Sequence, residues 1–103
     1  MLCKLIFNFE NLKKNIIYTK SLQVQNDCLL NSINFSRIDT NVFFNLFVND
    51  EKIFTNDVNM KNFYFSTPLL LYNEKINKHD ILSLMIYSDT EVEDKIQVIL
   101  TLI

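Results

Sequence analysis

The stretch Ile81-Leu82-Ser83-Leu84-Met85-Ile86-Tyr87-Ser88, followed after a polar loop by Ile96-Gln97-Val98-Ile99-Leu100-Thr101-Leu102-Ile103, decides the fold class. Leu82, Leu84 and Ile86 share one parity, with Ser83 and Tyr87 on the other, and Ile96, Val98, Leu100 and Leu102 repeat the pattern. A period of two places successive side chains on opposite faces of an extended chain, so both segments read as strands with one face in a core.

The same period runs back through the chain. Leu5, Phe7 and Phe9 alternate with polar neighbours in a first strand, and Ile16, Tyr18, Leu22 and Val24 share one parity of a long, half-buried second strand. Asn26-Asp27 reads as a turn, with at most one helical turn over Asp27 to Asn31, and Ile33 and Phe35 set one face of a third strand. Val42, Phe44, Leu46 and Val48 set one face of a fourth. Asn49 to Lys52 before Ile53-Phe54 reads as a hairpin connection. Phe63-Tyr64-Phe65 and Leu69 with Leu71 after Pro68 supply further short strands. Seven to eight short strands at close spacing predict a single antiparallel β-sandwich or jelly roll. No linker or fixed-period repeat divides the chain, so residues 1–103 read as one all-β domain.

The chain has no Gly or Ala and one Pro, with heavy use of Asn, Ile, Lys, Phe and Leu, the residues of AT-rich codons. Turns that require positive φ must therefore use Asn or Asp, the next most tolerant residues, and the many Asn read as turn formers rather than ligands. Hydrophobic residues at 49% and charged residues at 21% belong to an ordered globular chain.

The charge pattern and motifs argue against several function classes. A net charge of −2, with Lys13-Lys14 the one adjacent basic pair, does not provide the clustered cations of a nucleic-acid footprint. No run approaches the ~18 apolar residues of a membrane span, and the N-terminus turns polar too early for a signal peptide. Cys3 and Cys28 lack zinc-site spacing and read as two buried free thiols. His79 is the sole histidine and sits between Lys78 and Asp80 in a turn, which leaves no set for a Ser/His/Asp or His-rich metal site. Without Gly there is no phosphate loop and no nucleophile elbow. Asp89, Glu91, Glu93 and Asp94 miss the spacing of a calcium loop and read as a solvated acidic turn. The chain reads as a non-enzyme with no cofactor.

Two strands are apolar on both faces. Phe43 and Phe47 oppose the inward set of the fourth strand, and Ile99 and Ile103 oppose that of the last. In a sandwich the outer face normally meets water, so these four residues are either covered by loops or are contacts with another subunit. Tyr18, Tyr64, Tyr72 and Tyr87 offer a weaker alternative as a sugar- or peptide-binding surface.

The segment from Pro68 to Asp89, closing with Ile96 to Ile103, resembles the ending of small β-sandwich auxiliary and decoration capsid proteins of tailed phages. In those proteins a turn of lysine, any residue and aspartate, here Lys78-His79-Asp80, feeds an alternating strand, a polar loop and a final alternating strand. The resemblance covers about a third of the chain, and His79 stands where the turn of the family carries Gly. The composition suits a GC-poor phage, of which the crAss-like phages of gut bacteria are one group. The resemblance implies a structural virion protein made in the host cytoplasm and held in many copies on the capsid surface. Its partners would be the major capsid protein and neighbouring virion subunits, with neither nucleic acid nor membrane. The alternative is a carbohydrate-binding adhesin module or another tail or fibre component.

Overall fold

A computed structural model of the chain describes residues 3–62 and 69–103, and the side chains of residues 62 and 69–73 are not described. Phe63-Tyr64-Phe65 and Pro68 lie outside the described residues. The strands are β1 (Cys3–Phe9), β2 (Tyr18–Gln23), β3 (Cys28–Phe35), β4 (Val42–Val48), β5 (Glu51–Lys52), β6 (Val58–Asn59), β7 (Leu69–Ile76), β8 (Ile81–Ser88) and β9 (Ile96–Leu102), with a 3-10 turn at Met60–Asn62. They form two antiparallel sheets, ordered β1-β9-β3-β7 and β2-β8-β4-β5, with β6 also on β4.

The pairing identifies the topology. β1 pairs β9, β2 pairs β8, β3 pairs β7, and β4 pairs the interrupted strand made of β5 and β6. A ribbon of such pairs wound so that neighbouring pairs alternate between two sheets is a jelly roll. Counting β5 and β6 as one strand gives the eight of that fold.

The inner faces carry the residues that the period of two marks. Phe7, Phe9, Leu30, Ile33, Phe35, Ile96, Val98, Leu100 and Leu102 from one sheet meet Val42, Phe44, Leu46, Leu82, Leu84 and Ile86 from the other. Phe44 is fully buried, its ring 4.9 Å from Phe35 across the sandwich and 5.9 Å from Phe54. Truncating such a ring to Ala typically costs ~3–5 kcal/mol, a large share of a domain's stability.

Two expectations are corrected. Asp27 to Asn31 holds no helical turn, because Cys28 to Phe35 is one strand with a register shift between Leu30 and Ser32. The bulge moves the inward parity from Leu30 to Ile33 and Phe35, which disguises the alternation in the sequence. The second strand begins at Tyr18, not Ile16, and is exposed from Thr19 to Gln23 because it is the free edge of its sheet.

Positive φ is carried among the described residues by Asn11, Asn15, Asn49, Asp50 and His79. Four are the Asn and Asp expected in a chain without Gly. Asn49 and Asp50, at φ 50° and 71°, are the two central residues of the β4–β5 hairpin, as a type I′ turn requires.

Candidate interaction surface

The four residues singled out by two-sided apolarity do not meet on one surface. Phe43 and Phe47 lie on the outer face of the β2-β8-β4 sheet, paired with Tyr87 and Ser83 of β8. Ile99 lies on the outer face of the other sheet, paired with Ile6 of β1 and Asn34 of β3. Ile103 follows β9 and exchanges backbone hydrogen bonds of 2.8 and 2.9 Å with Leu29. The sheets of a sandwich are stacked ~10 Å apart, so one flat partner cannot reach both pairs.

The β4 outer face is partly closed by the chain itself. Asn45 lies between Phe43 and Phe47 in sequence, yet it is fully buried. Its side-chain amide donates to Phe54 O at 3.0 Å and to Asp57 Oδ1 at 2.9 Å, and its Oδ1 accepts from Leu46 N at 2.8 Å. Asn45 thus ties down the loop that separates β5 from β6. Phe43 is half-buried and stacks on Tyr87 at 5.3 Å and 9°. The Tyr87 hydroxyl donates to Asp57 Oδ2 at 2.9 Å. Burial, the hydrogen bond to Asp57 and its negative charge push the Tyr87 phenol above its ordinary pKa.

Among the described residues, the opposite sheet leaves two apolar outer residues, Ile6 and Ile103, exposed. Ile6 is 54% exposed, Ile103 is 42% exposed, and Ile99 is half-buried between Ile6 and Asn34. Ile6 interrupts the alternation of Leu5, Phe7 and Phe9, a sequence signal that marks this face in addition to Ile99 and Ile103.

Between the free edges β1 and β2 lies a cleft of about 540 Å³, lined by Leu5, Leu22, Val24 and Leu102 with Cys3, Cys28 and Ile103 among the remaining walls. Both cysteines are free thiols, but they are not buried: Cys3 is exposed and Cys28 half-buried, and both line the cleft. Partial burial, the Asp27 carboxylate and Cys3 raise the Cys28 pKa, which makes it a weak nucleophile. Further along β2, Lys20 pairs with Leu84 of β8 and shares its inward parity. Its ammonium donates to Asn8 O and lies 5.1 Å from the centre of the Phe9 ring.

The remaining groups take structural places. His79 sits in the turn before β8 at φ 76°, its amide donating to Val24 O at 2.7 Å. Asp94 of the acidic loop is paired with Arg37, which also faces Asp39 at 3.8 Å. The Tyr18 hydroxyl accepts from Lys13 N at 3.1 Å, so with Tyr87 both tyrosine hydroxyls among the described side chains are engaged internally. Tyr64 lies outside the described residues and the Tyr72 side chain is not described. Set against protein-family models, curated proteins and solved structures, the chain matches none of them.

Proposed function

We propose that this jelly roll is a structural protein of a viral particle, an auxiliary component that adheres to the major capsid protein shell of a tailed phage. The reading rests on the resemblance of the Pro68 to Asp89 and Ile96 to Ile103 segments, and on a fold that viral capsid and lectin domains use repeatedly. The observation that carries it is the outer face of the β1-β9-β3-β7 sheet, where exposed Ile6 pairs with half-buried Ile99 and Ile103 is exposed nearby.

That face is the better docking surface of the two. The ring of Phe43 is already stacked on Tyr87, and Asn45 beside it is covered by the loop from β5 to β6. A contact of ~1,600 Å² in total is a standard protein interface, and many copies on a symmetric shell reinforce one another even where each binds modestly.

Quantitative mass spectrometry of purified particles tests the reading against the major capsid protein as a standard. Copies in the hundreds support a shell component, and a dozen or so place the chain in the tail or portal. Absence from particles, with glycan binding by the isolated domain, replaces the proposal with the adhesin alternative. On a shell that carries the protein, Ile99→Asp is expected to release it while Phe47→Ser leaves it bound.

A further inference from the structure

β1 is the outermost strand of its sheet, so among the described residues β9 is the one strand paired with it. Which of its backbone groups are left over follows from the other side of β9. Gln97 faces Ser36, the residue after β3: its N donates to Ser36 Oγ at 2.8 Å and its O accepts from Ser36 N at 2.9 Å. Ile103 likewise exchanges backbone bonds with Leu29 of β3. Successive residues of a strand turn their N–H and C=O to opposite sides, so Val98, Leu100 and Leu102 face β1 and bond their register partners Phe7, Leu5 and Cys3.

Lys4, Ile6 and Asn8 therefore turn their backbone groups away from β9, toward the free edge. Asn8 bears this out, since its carbonyl accepts from the ammonium of Lys20 on β2. The N–H and C=O of Lys4 and Ile6 remain as an open row.

That row runs beside the cleft between β1 and β2. Cys3 and Leu5, on either side of Lys4, line it together with Leu22, Val24 and Leu102. Among the residues of the lining Asp27 alone is charged. A strand laid along β1 would direct every second side chain to the inner face of the sheet, where Leu5 and the cleft lie. An open edge beside an apolar groove is the arrangement that recognises an extended peptide, the edge holding its main chain and the groove its alternate side chains.

Other occupants use only half of this arrangement. The β1 of a second copy could pair with the edge, but its Phe7 and Phe9 are buried in its own core and would leave the cleft empty. A small apolar molecule could fill the cleft, but it would not engage the groups of Lys4 and Ile6. The Asp27 carboxylate favours a segment with a basic residue near one end and disfavours an acidic one.

We propose that the free edge of β1 from Cys3 to Phe7 is a strand-addition site for an extended segment of another polypeptide, with alternating apolar residues and a basic residue near one end. The proposal goes beyond the shell reading and does not rest on it, since it needs only the edge and the cleft.

Amide exchange followed by NMR, with peptide selection on the intact chain, tests it. In the free chain the Lys4 and Ile6 amides are expected to exchange much faster than those of Leu5 and Phe7. The probes are random short peptides displayed and selected on the protein. Enriched sequences should alternate apolar with polar residues and carry Lys or Arg, a preference that Asp27→Lys removes. The best of them, made synthetically, should protect the Lys4 and Ile6 amides and shield Cys3 from maleimide. N-methylation of a peptide amide that faces β1 should weaken binding roughly tenfold, whereas methylation of its neighbour, which faces water, should change little. Leu22→Lys should weaken binding by a similar factor, and Leu22 is 38% exposed, so the variant keeps the fold, which its melting curve verifies. Slow exchange of Lys4 and Ile6 in the free chain overturns the proposal, and if it sets in with rising protein concentration it assigns the edge to a second copy. Failure to enrich any alternating peptide overturns it too, as does binding indifferent to N-methylation, which would make the cleft a site for apolar groups alone.

Discussion

Asn49 and Asp80 lock together two turns that lie 31 residues apart, the Asn49 amide donating to Asp80 Oδ1 at 2.8 Å. Asn49 Oδ1 accepts from Ile81 N at 2.8 Å, and Asp80 Oδ2 accepts from Asn77 N at 2.9 Å. The neighbouring turn joins them, since Val24 N donates to Asp80 O at 2.9 Å and Lys78 N donates to Asp27 Oδ1 at 2.7 Å. The aspartate of the Lys78-His79-Asp80 turn is therefore a fastener for three connections at one end of the sandwich.

This arrangement makes part of the stability acid-sensitive. The hydrogen bond from Asn49, then that from Asn77, lowers the Asp80 pKa below its ordinary value of 3.8. A folded-state pKa that is depressed contributes stability above the unfolded value and loses it as pH falls through and below that value. Asp80→Ala is expected to lower the melting temperature at neutral pH, with the difference from the unaltered chain shrinking as the pH drops below about 4. Melting curves at several pH values check this, and a difference that stays constant into strong acid would refute the role of the charge.

His79 is the one positive-φ position among the described residues without an Asn or Asp side chain. A left-handed conformation costs an L-residue ~1–2 kcal/mol, and Gly avoids this at an entropy cost of roughly 0.5–1 kcal/mol. The net expectation for His79→Gly is a gain of about 0.5–1 kcal/mol, a few degrees in melting temperature. The backbone bonds of His79 to Val24 and Gln23 are retained in the variant. Denaturant unfolding measures the difference, and a loss of stability would contradict it.

Lys20 places an ammonium on the inner face of a free edge strand, the device by which sandwiches resist edge-to-edge pairing. Lys20→Val should leave the fold intact and increase aggregation on storage or mild heating. Light scattering follows this, and unchanged solubility would show that the edge is protected by other means.

Cys3 and Cys28 line one cleft but sit on β1 and β3, which are separated by β9. Two strand spacings put their Cα atoms about 10 Å apart, beyond the ~7 Å limit for a bridge. Mild oxidation is expected to leave no intramolecular disulfide by intact mass, and maleimide should label exposed Cys3 before Cys28, whose pKa is raised. A loss of two hydrogens in the monomer would contradict this, since β1 and β3 would have to come together past β9.

What the sequence determined by itself was local. In β4, β8 and β9 the period of two names the inward residues correctly, from Val42 to Leu46, Leu82 to Ile86 and Ile96 to Leu102, because alternation is a property of each strand alone. The use of Asn and Asp for left-handed turns follows equally from the absence of Gly. Tertiary structure decided the rest. The bulge after Leu30 reverses parity through pairing with β9, whose residues lie some seventy positions away. The edge position of β2 leaves its side chains exposed despite their alternation. Asn45 became a buried fastener only when the loop from β5 to β6 closed over it. Phe43 and Phe47 were separated from Ile99 and Ile103 by the winding of the jelly roll, which assigns β4 and β9 to different sheets. Each of these outcomes depends on which distant strand lies alongside, and alternation within a strand carries no information about its neighbour.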